Sequence, residues 1–236
     1  MLKQEVWKCA YCPVRKLTII SDLEGLDLLD FQFNVTKHEM KTGQIIYTEG
    51  DDCTGLYIVM RGRVKIYYEN AEGKEQIVDI LEPGSVFGNI SLSPNKKCDV
   101  STVCYENGMY CSIPLDYYQK LVKDKPKIAL KLLSVLESKL SKSRKMIRDL
   151  SLKRARQRLA SIIIQIAEDQ NVITNTPNTK EINLPLTIQT LAYMSGLTQE
   201  TASRVMSEFK KNKIVSLKSR KLKILNYDEL LNISKT

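Results

Sequence analysis

At 236 residues, 43% hydrophobic and 27% charged, the chain is long enough for about two globular domains and too apolar for a disordered polymer. No apolar run approaches the ~18 residues of a membrane span, and a single histidine leaves triads and histidine-based metal hydrolysis little material. The net charge of +9 is uneven: residues 151–236 hold 14 Lys and Arg against 7 Asp and Glu, a net of +7, which points to a phosphate-rich partner for that end.

The first residues, Met1-Leu2-Lys3-Gln4-Glu5, form no apolar signal core, so a cytoplasmic location is expected. The six cysteines are then thiols or metal ligands rather than disulfides. Cys9-Ala10-Tyr11-Cys12 is a C-x-x-C whose readings are a flexible tail, a redox pair or half of a zinc site. A closed zinc site needs four ligands, and there is no second C-x-x-C.

From about 33 to 115 the sequence reads as strands and turns. Gln44–Tyr47, Gly55–Met60, Arg63–Tyr68 and Gln76–Leu81 are β-rich, punctuated by Gly43, Gly50, Gly62, Gly73 and Pro83-Gly84. Strands at such regular spacing predict a sandwich or jelly-roll barrel. Tyr57, Tyr67 and Tyr68 read as strand packing, and Cys53, Cys98 and Cys104 as small buried hydrophobes. His38 is expected as a surface or core residue rather than a haem ligand, and Asp51-Asp52 as a solvated turn.

The pattern turns helical at Pro126, a residue suited to a first turn. Ala129, Leu133, Leu136, Leu140, Ser143, Ile147 and Leu150 alternate steps of three and four, a heptad seam of about three repeats. Ile128, Leu132 and Val135 widen the stripe, so the helix is expected both to pack on its own barrel and to pair with a second copy. A helix over about 153–168 follows, opening on Lys153, Arg154, Arg156 and Arg158.

Ile188, Leu191 and Ala192 predict a short helix over about 187–194, and Ser195-Gly196-Leu197 a tight turn in which Gly tolerates positive φ. Thr198 is placed to cap the next helix. There Ala202, Val205, Met206 and Phe209 make an apolar stripe, leaving Gln199, Glu200, Ser203 and Arg204 on the other side. Helix, Gly-containing turn, helix is the helix-turn-helix pattern, whose second helix enters the major groove. Arg suits guanine O6 and N7, Glu accepts from cytosine N4, and Ser and Gln adapt to either role. Ile214–Leu217 and Lys221–Leu225 flank Lys218-Ser219-Arg220, a hairpin wing that would set Lys218, Arg220 and Lys221 against backbone phosphates.

Over nearly its whole length the chain resembles the Crp/Fnr family of bacterial transcription regulators. The resemblance is carried by Gly55-Leu56-Tyr57-Ile58-Val59 with Gly62-Arg63-Val64, by Pro83-Gly84 and Phe87-Gly88, by Gln157-Arg158-Leu159-Ala160, and by Gly196-Leu197-Thr198 with Glu200-Thr201 and Ser203-Arg204. It implies an α+β protein: a cyclic-nucleotide-binding-type β jelly-roll barrel with the N-terminal Cys segment over 1–115, a dimerisation helix over 116–150 and a winged helix-turn-helix DNA-binding domain over 151–236. It also implies a homodimer on double-stranded DNA, with RNA polymerase as a candidate partner and no membrane. Leu133, Leu136, Leu140 and Ile147 would line the dimer interface. Glu200, Ser203 and Arg204 look like the Fnr branch, implying palindromic half-sites similar to TTGAT.

In nucleotide-binding relatives the segment after Phe-Gly supplies a Glu for the ribose, then an Arg and a Ser or Thr for the phosphate. Those positions here are Asn89, Asp99 and Val100, which argues against cyclic AMP, although a short slip in alignment reaches Lys96 or Lys97. Cys9, Cys12 and Cys111, the last within Cys111-Ser112-Ile113-Pro114, match three of the four iron–sulfur ligands of oxygen-sensing Fnr proteins. The fourth falls at Thr18, a poor substitute for a thiolate, leaving Cys98, Cys104 or Asp22 as replacements. No P-loop, nucleophile elbow or dinucleotide fingerprint suggests an enzyme. The competing class is a small-ligand-binding barrel whose basic tail meets RNA or a membrane surface.

Overall fold

The computed structural model describes residues 9–91, 96–169, 178–182 and 184–235. The signal-core expectation at Met1–Glu5 lies outside them. The chain divides into two units, Met1–Lys139 and Leu140–Thr236.

The first unit opens with two short 3-10 turns, Cys9–Tyr11 and Arg15–Leu17, and helix α1 (Gly25–Phe33). Strands β1 (Thr36–Met40), β2 (Ile45–Tyr47), β3 (Gly55–Glu69), β4 (Glu75–Leu81), β5 (Val86–Gly88) and β6 (Ser101–Pro114) follow. They form one antiparallel sheet in the order β1-β6-β3-β4, with β2 also on β6 and β5 on β3. The arrangement is jelly-roll-like, as expected. One difference is informative. The two runs around Gly62 read as separate strands, yet β3 is continuous through it. Gly62 has φ 74°, and a Cβ there would meet Glu106 O at 2.4 Å, so the glycine makes a bulge against β6 rather than a turn.

Two apolar clusters fill this unit. One gathers Met40, Tyr47, Val59, Phe87, Cys98 and Cys104 inside the sheet. The other joins the N-terminal segment to the rest through Cys9, Ile20, Phe31, Cys111, Ile128 and Leu132. Helix α2 (Leu115–Asp124) and helix α3 (Pro126–Leu152) come next. Residues 116–150 thus hold two helices, interrupted at Lys125 because the residue before a proline is driven out of the helical region.

The second unit takes up the end of α3 and continues with α4 (Ala155–Asp169), β7 (Lys180–Ile182), α5 (Ile188–Ser195), α6 (Gln199–Lys211), β8 (Val215–Lys218), β9 (Lys221–Ile224) and α7 (Tyr227–Lys235). The strands form a small sheet in the order β7-β9-β8, and helices α4, α5 and α6 pack beside it. This is a winged helix-turn-helix. Among the described residues no helix is long and apolar enough to cross a membrane.

Candidate nucleic-acid interface and thiol pocket

Each helix of the α5–α6 pair is started by its own sequence. Thr187 Oγ1 accepts from Thr190 N at 3.0 Å, and Thr198 Oγ1 accepts from Thr201 N at 3.2 Å, so both N-termini have a side-chain cap. Gly196 ends α5 at φ 63°, ψ 36°, a left-handed residue that turns the chain into α6. Ala202, Val205, Met206 and Phe209 are buried along one side of α6, while Gln199, Glu200 and Arg204 are exposed and Ser203 is half-buried. The predicted reading face is therefore the solvent face.

Two arginines of α4 position this pair, through partners that the sequence did not disclose. Arg156 Nε pairs with Glu208 Oε1 at 2.8 Å, and its guanidinium lies 5.9 Å over the Phe209 ring, tying the far end of α6 to α4. Arg158 points its guanidinium at the carbonyls of Gly196 (3.4 Å) and Leu150 (3.5 Å), and its Nε is buried without a partner. Lys153 pairs with Asp149 at 2.9 Å and donates to Ser161 Oγ at 2.6 Å. The basic run 153–158 is thus partly internal scaffolding rather than a uniform solvated face.

The wing is a two-residue hairpin. Ser219 (φ 48°) and Arg220 (φ 65°) both adopt left-handed backbone, and Leu186 N donates to Arg220 O at 2.9 Å. Two positive-φ residues are what a type I′ turn requires, although Asn-Gly usually supplies them. Lys218, Ser219, Arg220 and Lys221 are all exposed. Lys210, Lys211 and Lys213, also exposed, extend the cationic surface past the end of α6.

Helix α3 has two apolar faces. Ile128 and Leu132 are buried in the first unit, whereas Leu133 (60% exposed), Leu136 (41%), Leu140 (50%) and Ile147 (65%) face outward. The heptad seam is therefore distinct from the face that packs on the chain's own core.

Cys9, Cys12, Cys111 and Thr18 line one pocket, with Val14, Phe31, Ile58 and Met60 as its apolar wall. The fold brings Cys111 there from β6, opposite Ile58 of β3. Burial pushes the Cys111 thiol up to about 12, with Cys9 and Cys12 adding to the effect and Lys37 opposing it. Burial likewise raises Cys9, whose backbone N–H donates to Gln32 Oε1 at 2.8 Å.

The donor set does not suit a four-thiolate cluster. Thr18 Oγ1 is spent on its own turn, donating to Arg15 O at 2.9 Å and accepting from Ile20 N at 3.3 Å. The proposed replacements fail as well. Cys98 and Cys104 belong to the other apolar cluster, and Asp22 is paired with Lys131 at 2.7 Å. Among the described residues no three Cys, His, Asp or Glu side chains converge closely enough to hold a metal ion.

At the nucleotide-binding positions, Asn89 is fully buried, donating to Cys53 O at 3.4 Å and accepting from Ser91 Oγ at 3.0 Å. Asp99 is exposed and Val100 half-buried, and Lys97 pairs with Asp52 at 2.7 Å. The sheet interior nearby is occupied by Tyr47, Tyr57, Phe87 and Tyr110, with ring centroids 5.1–6.2 Å apart. His38 stacks on Tyr110 at 4.8 Å, and its Nε2 lies 2.8 Å from Ser112 Oγ. It is a structural residue, with burial lowering its basicity.

Residues 37–125 match the cyclic nucleotide-binding domain family, and residues 157–233 match the Crp-like helix-turn-helix domain family. The chain is 28% identical over 228 residues to the fumarate and nitrate reduction regulatory protein of Vibrio cholerae, covering 96% of this chain and 90% of that one. Among solved structures, a CooA variant from Carboxydothermus hydrogenoformans superposes with a TM-score of 0.74 at 26% identity, covering 86% of this chain and 88% of that one. FixK2 from Bradyrhizobium japonicum shares the fold with a TM-score of 0.74 at 22% identity, covering 84% of this chain and 96% of that one.

Proposed function

Because this chain belongs to the Crp/Fnr family of DNA-binding transcription regulators, we propose that it acts as a homodimer reading a palindromic site with TTGAT-like half-sites. One observation carries the reading: the capped helix α6 buries its apolar stripe and turns Gln199, Glu200 and Arg204 to solvent. Arg204 grips guanine O6 and N7, Glu200 accepts from cytosine N4, and Ser203 and Gln199 adjust to the flanking bases. Thr198 holds the helix start, where the positive end of the helix dipole favours a phosphate. Lys218 and Arg220 of the wing bind backbone phosphate and fix register without reading sequence.

The exposed seam of Leu133, Leu136, Leu140 and Ile147 pairs two copies, so that two α6 helices face successive major grooves about one helical turn apart. The input enters through the thiol pocket. Its cluster of apolar residues includes Ile128 and Leu132 of α3, so a change at Cys9, Cys12 or Cys111 is felt by the first turns of the dimer helix. Chemistry of the three thiols themselves suits the pocket better than a four-thiolate cluster, since Thr18 is engaged with its own backbone. A cyclic nucleotide is a poor fit, with Asn89 buried and Asp99 where a phosphate needs a cation.

The test is fluorescence anisotropy with a palindromic duplex and a scrambled duplex at several salt concentrations. A preference of roughly 10³-fold or more for the palindrome, with both affinities falling steeply with salt, is expected. Equal affinity for the two duplexes, or tighter binding to RNA or anionic vesicles, would overturn the reading.

A further inference from the structure

Cys53 and Cys98 take no part in the thiol pocket or the DNA surface. They lie on either side of a single antiparallel bridge, Asp52–Lys97, in which Cys53 N donates to Lys96 O at 2.9 Å and Cys98 N donates to Asp51 O at 2.8 Å. That register places both side chains on one face of the bridge, diagonal to each other. Both residues are buried, at 6% and 3% exposure, in the cluster with Met40, Tyr47 and Phe87. The remaining cysteine of that cluster is engaged elsewhere, since Cys104 Sγ donates to Glu106 O at 3.2 Å.

We propose that Cys53 and Cys98 are a modification site for two-electron oxidants of the peroxide class, which join them in a disulfide. In the first step one sulfur attacks a peroxide oxygen as thiolate, the O–O bond breaks, and a sulfenic acid and water form. The second thiolate then attacks that sulfur, the S–O bond breaks, and the departing hydroxide takes up a proton as a second water. The two sulfurs are each oxidised by one electron, and the two peroxide oxygens are reduced to water.

Register, rather than reactivity, sets this pair apart from the other thiols: burial raises the Cys98 thiol as it raises Cys111, so the reaction is slow. A diagonal pair in a long regular ladder stands slightly too far apart for a disulfide. Here the ladder is one isolated bridge, so the remaining distance is closed by bending the turn around Asp51 rather than a strand. The bond staples the turn around Asp51 to the stretch that enters β6, closing a loop between two positions 45 apart in the sequence. A surface consequence follows, because Gly50 N donates to Cys98 O and Asp51 Oδ2 accepts from Thr48 N and Oγ1, so the whole turn becomes one covalently anchored unit.

The experiment treats the full-length protein with hydrogen peroxide or diamide, blocks residual thiols, and digests with endoproteinase Asp-N. Cleavage before Asp52, Asp79 and Asp99 leaves Cys53 and Cys98 in separate peptides, 52–78 and 79–98, and Cys104 and Cys111 in a third. The expected product is a linked 52–78/79–98 pair, two hydrogens lighter than the reduced peptides and separated by dithiothreitol. The same pair should form when Cys9, Cys12 and Cys111 are all replaced by Ala, and oxidation should raise the melting temperature of the wild type by several degrees. Recovery of Cys53 and Cys98 as blocked thiols after oxidation, or their linkage only to other cysteines, would overturn the assignment. The mapping uses the wild-type chain, so it does not depend on any variant folding.

Discussion

Replacing Arg204 by Ala separates sequence reading from simple charge. Arg204 is exposed on α6, and among the described residues no ion pair engages it. Its removal should therefore change folding stability by no more than about 0.5 kcal/mol. On DNA the loss is different. One good bidentate contact to guanine discriminates by about 1–3 kcal/mol, and a symmetric dimer makes it twice, so the palindrome should lose roughly 2–6 kcal/mol. At about 1.4 kcal/mol per decade this is roughly 30-fold to 10⁴-fold in Kd.

Anisotropy against palindromic and scrambled duplexes, beside a thermal melt, reads the three quantities separately. Scrambled DNA should weaken far less, because only a charge is lost there. Phe209→Ala serves as the contrast. Phe209 is fully buried beneath the reading face, so truncation should cost about 3–5 kcal/mol of stability and lower binding to both duplexes together. If Arg204→Ala weakens both duplexes by the same factor, or lowers the melting temperature as Phe209→Ala does, then Arg204 is a phosphate contact or a structural residue and the reading face has been misassigned.

Leu140→Glu places a charge on the outward seam of α3, and sedimentation should show a shift from dimer to monomer with the helical circular dichroism unchanged; an unaltered mass would remove that seam from the interface. Cys111, held at about 12 by burial, should be alkylated about 10³-fold more slowly than an ordinary thiol at pH 8 and speed up about tenfold per pH unit, followed by mass spectrometry; labelling of Cys111 as fast as the half-buried Cys12 would refute its enclosure. Burial opposes ionisation of Asp149, but hydrogen bonds and charge from Lys153 and Arg148 outweigh it and hold its carboxyl below the ordinary range. Its stabilising contribution is therefore complete above about pH 4 and lost as pH falls through the lowered value, and acid titration of Asp149→Asn should lack that part of the loss. Arg220→Gly relieves a left-handed non-glycine residue and should stabilise the second unit by about 1 kcal/mol in a melt while weakening palindromic and scrambled DNA alike; a selective loss on the palindrome would make Arg220 a base reader.

The parts of the site that were legible in the sequence are those whose causes are local. The stripe Ala202, Val205, Met206, Phe209 and the cap at Thr198 need only helical spacing and one hydroxyl, and α6 follows from them. The wing was legible because two β-rich runs bracket Ser219-Arg220, although the backbone strain there was not, since neither residue is Gly or Asn. Pairings between distant segments were hidden. Lys180–Ile182 is three residues long and is a strand only because β9 receives it. Arg156 and Arg158 were legible only as part of a basic run opening a supporting helix, and their ties to Glu208 and to the Gly196 carbonyl exist only once α4 lies against the α5–α6 pair. The thiol pocket was visible from resemblance, yet what happens at Thr18 depends on a tight turn that returns its hydroxyl to Arg15 and Ile20.

Under the proposed function, helix α3 is where an input at the thiol pocket would acquire a consequence. Its first turns are buried at Ile128 and Leu132 in the same cluster as Cys9 and Cys111, while Leu130 and Leu133 on the same turns face outward. Polar contacts reinforce the connection, since Lys131 pairs with Asp22 at 2.7 Å and Lys125 pairs with Asp27. These pairs are exposed enough to contribute little to stability. Close packing transmits displacement rather than absorbing it, so under that reading altering a thiol on one side of α3 would move the leucines on the other. Such a change biases the dimer only by its difference in free energy between the two arrangements of α3. Driving the population from 1:99 to 99:1 requires about 5.5 kcal/mol. Rearranging the exposed ion pairs alone falls short of that, so the apolar packing of Ile128 and Leu132 must carry most of the difference.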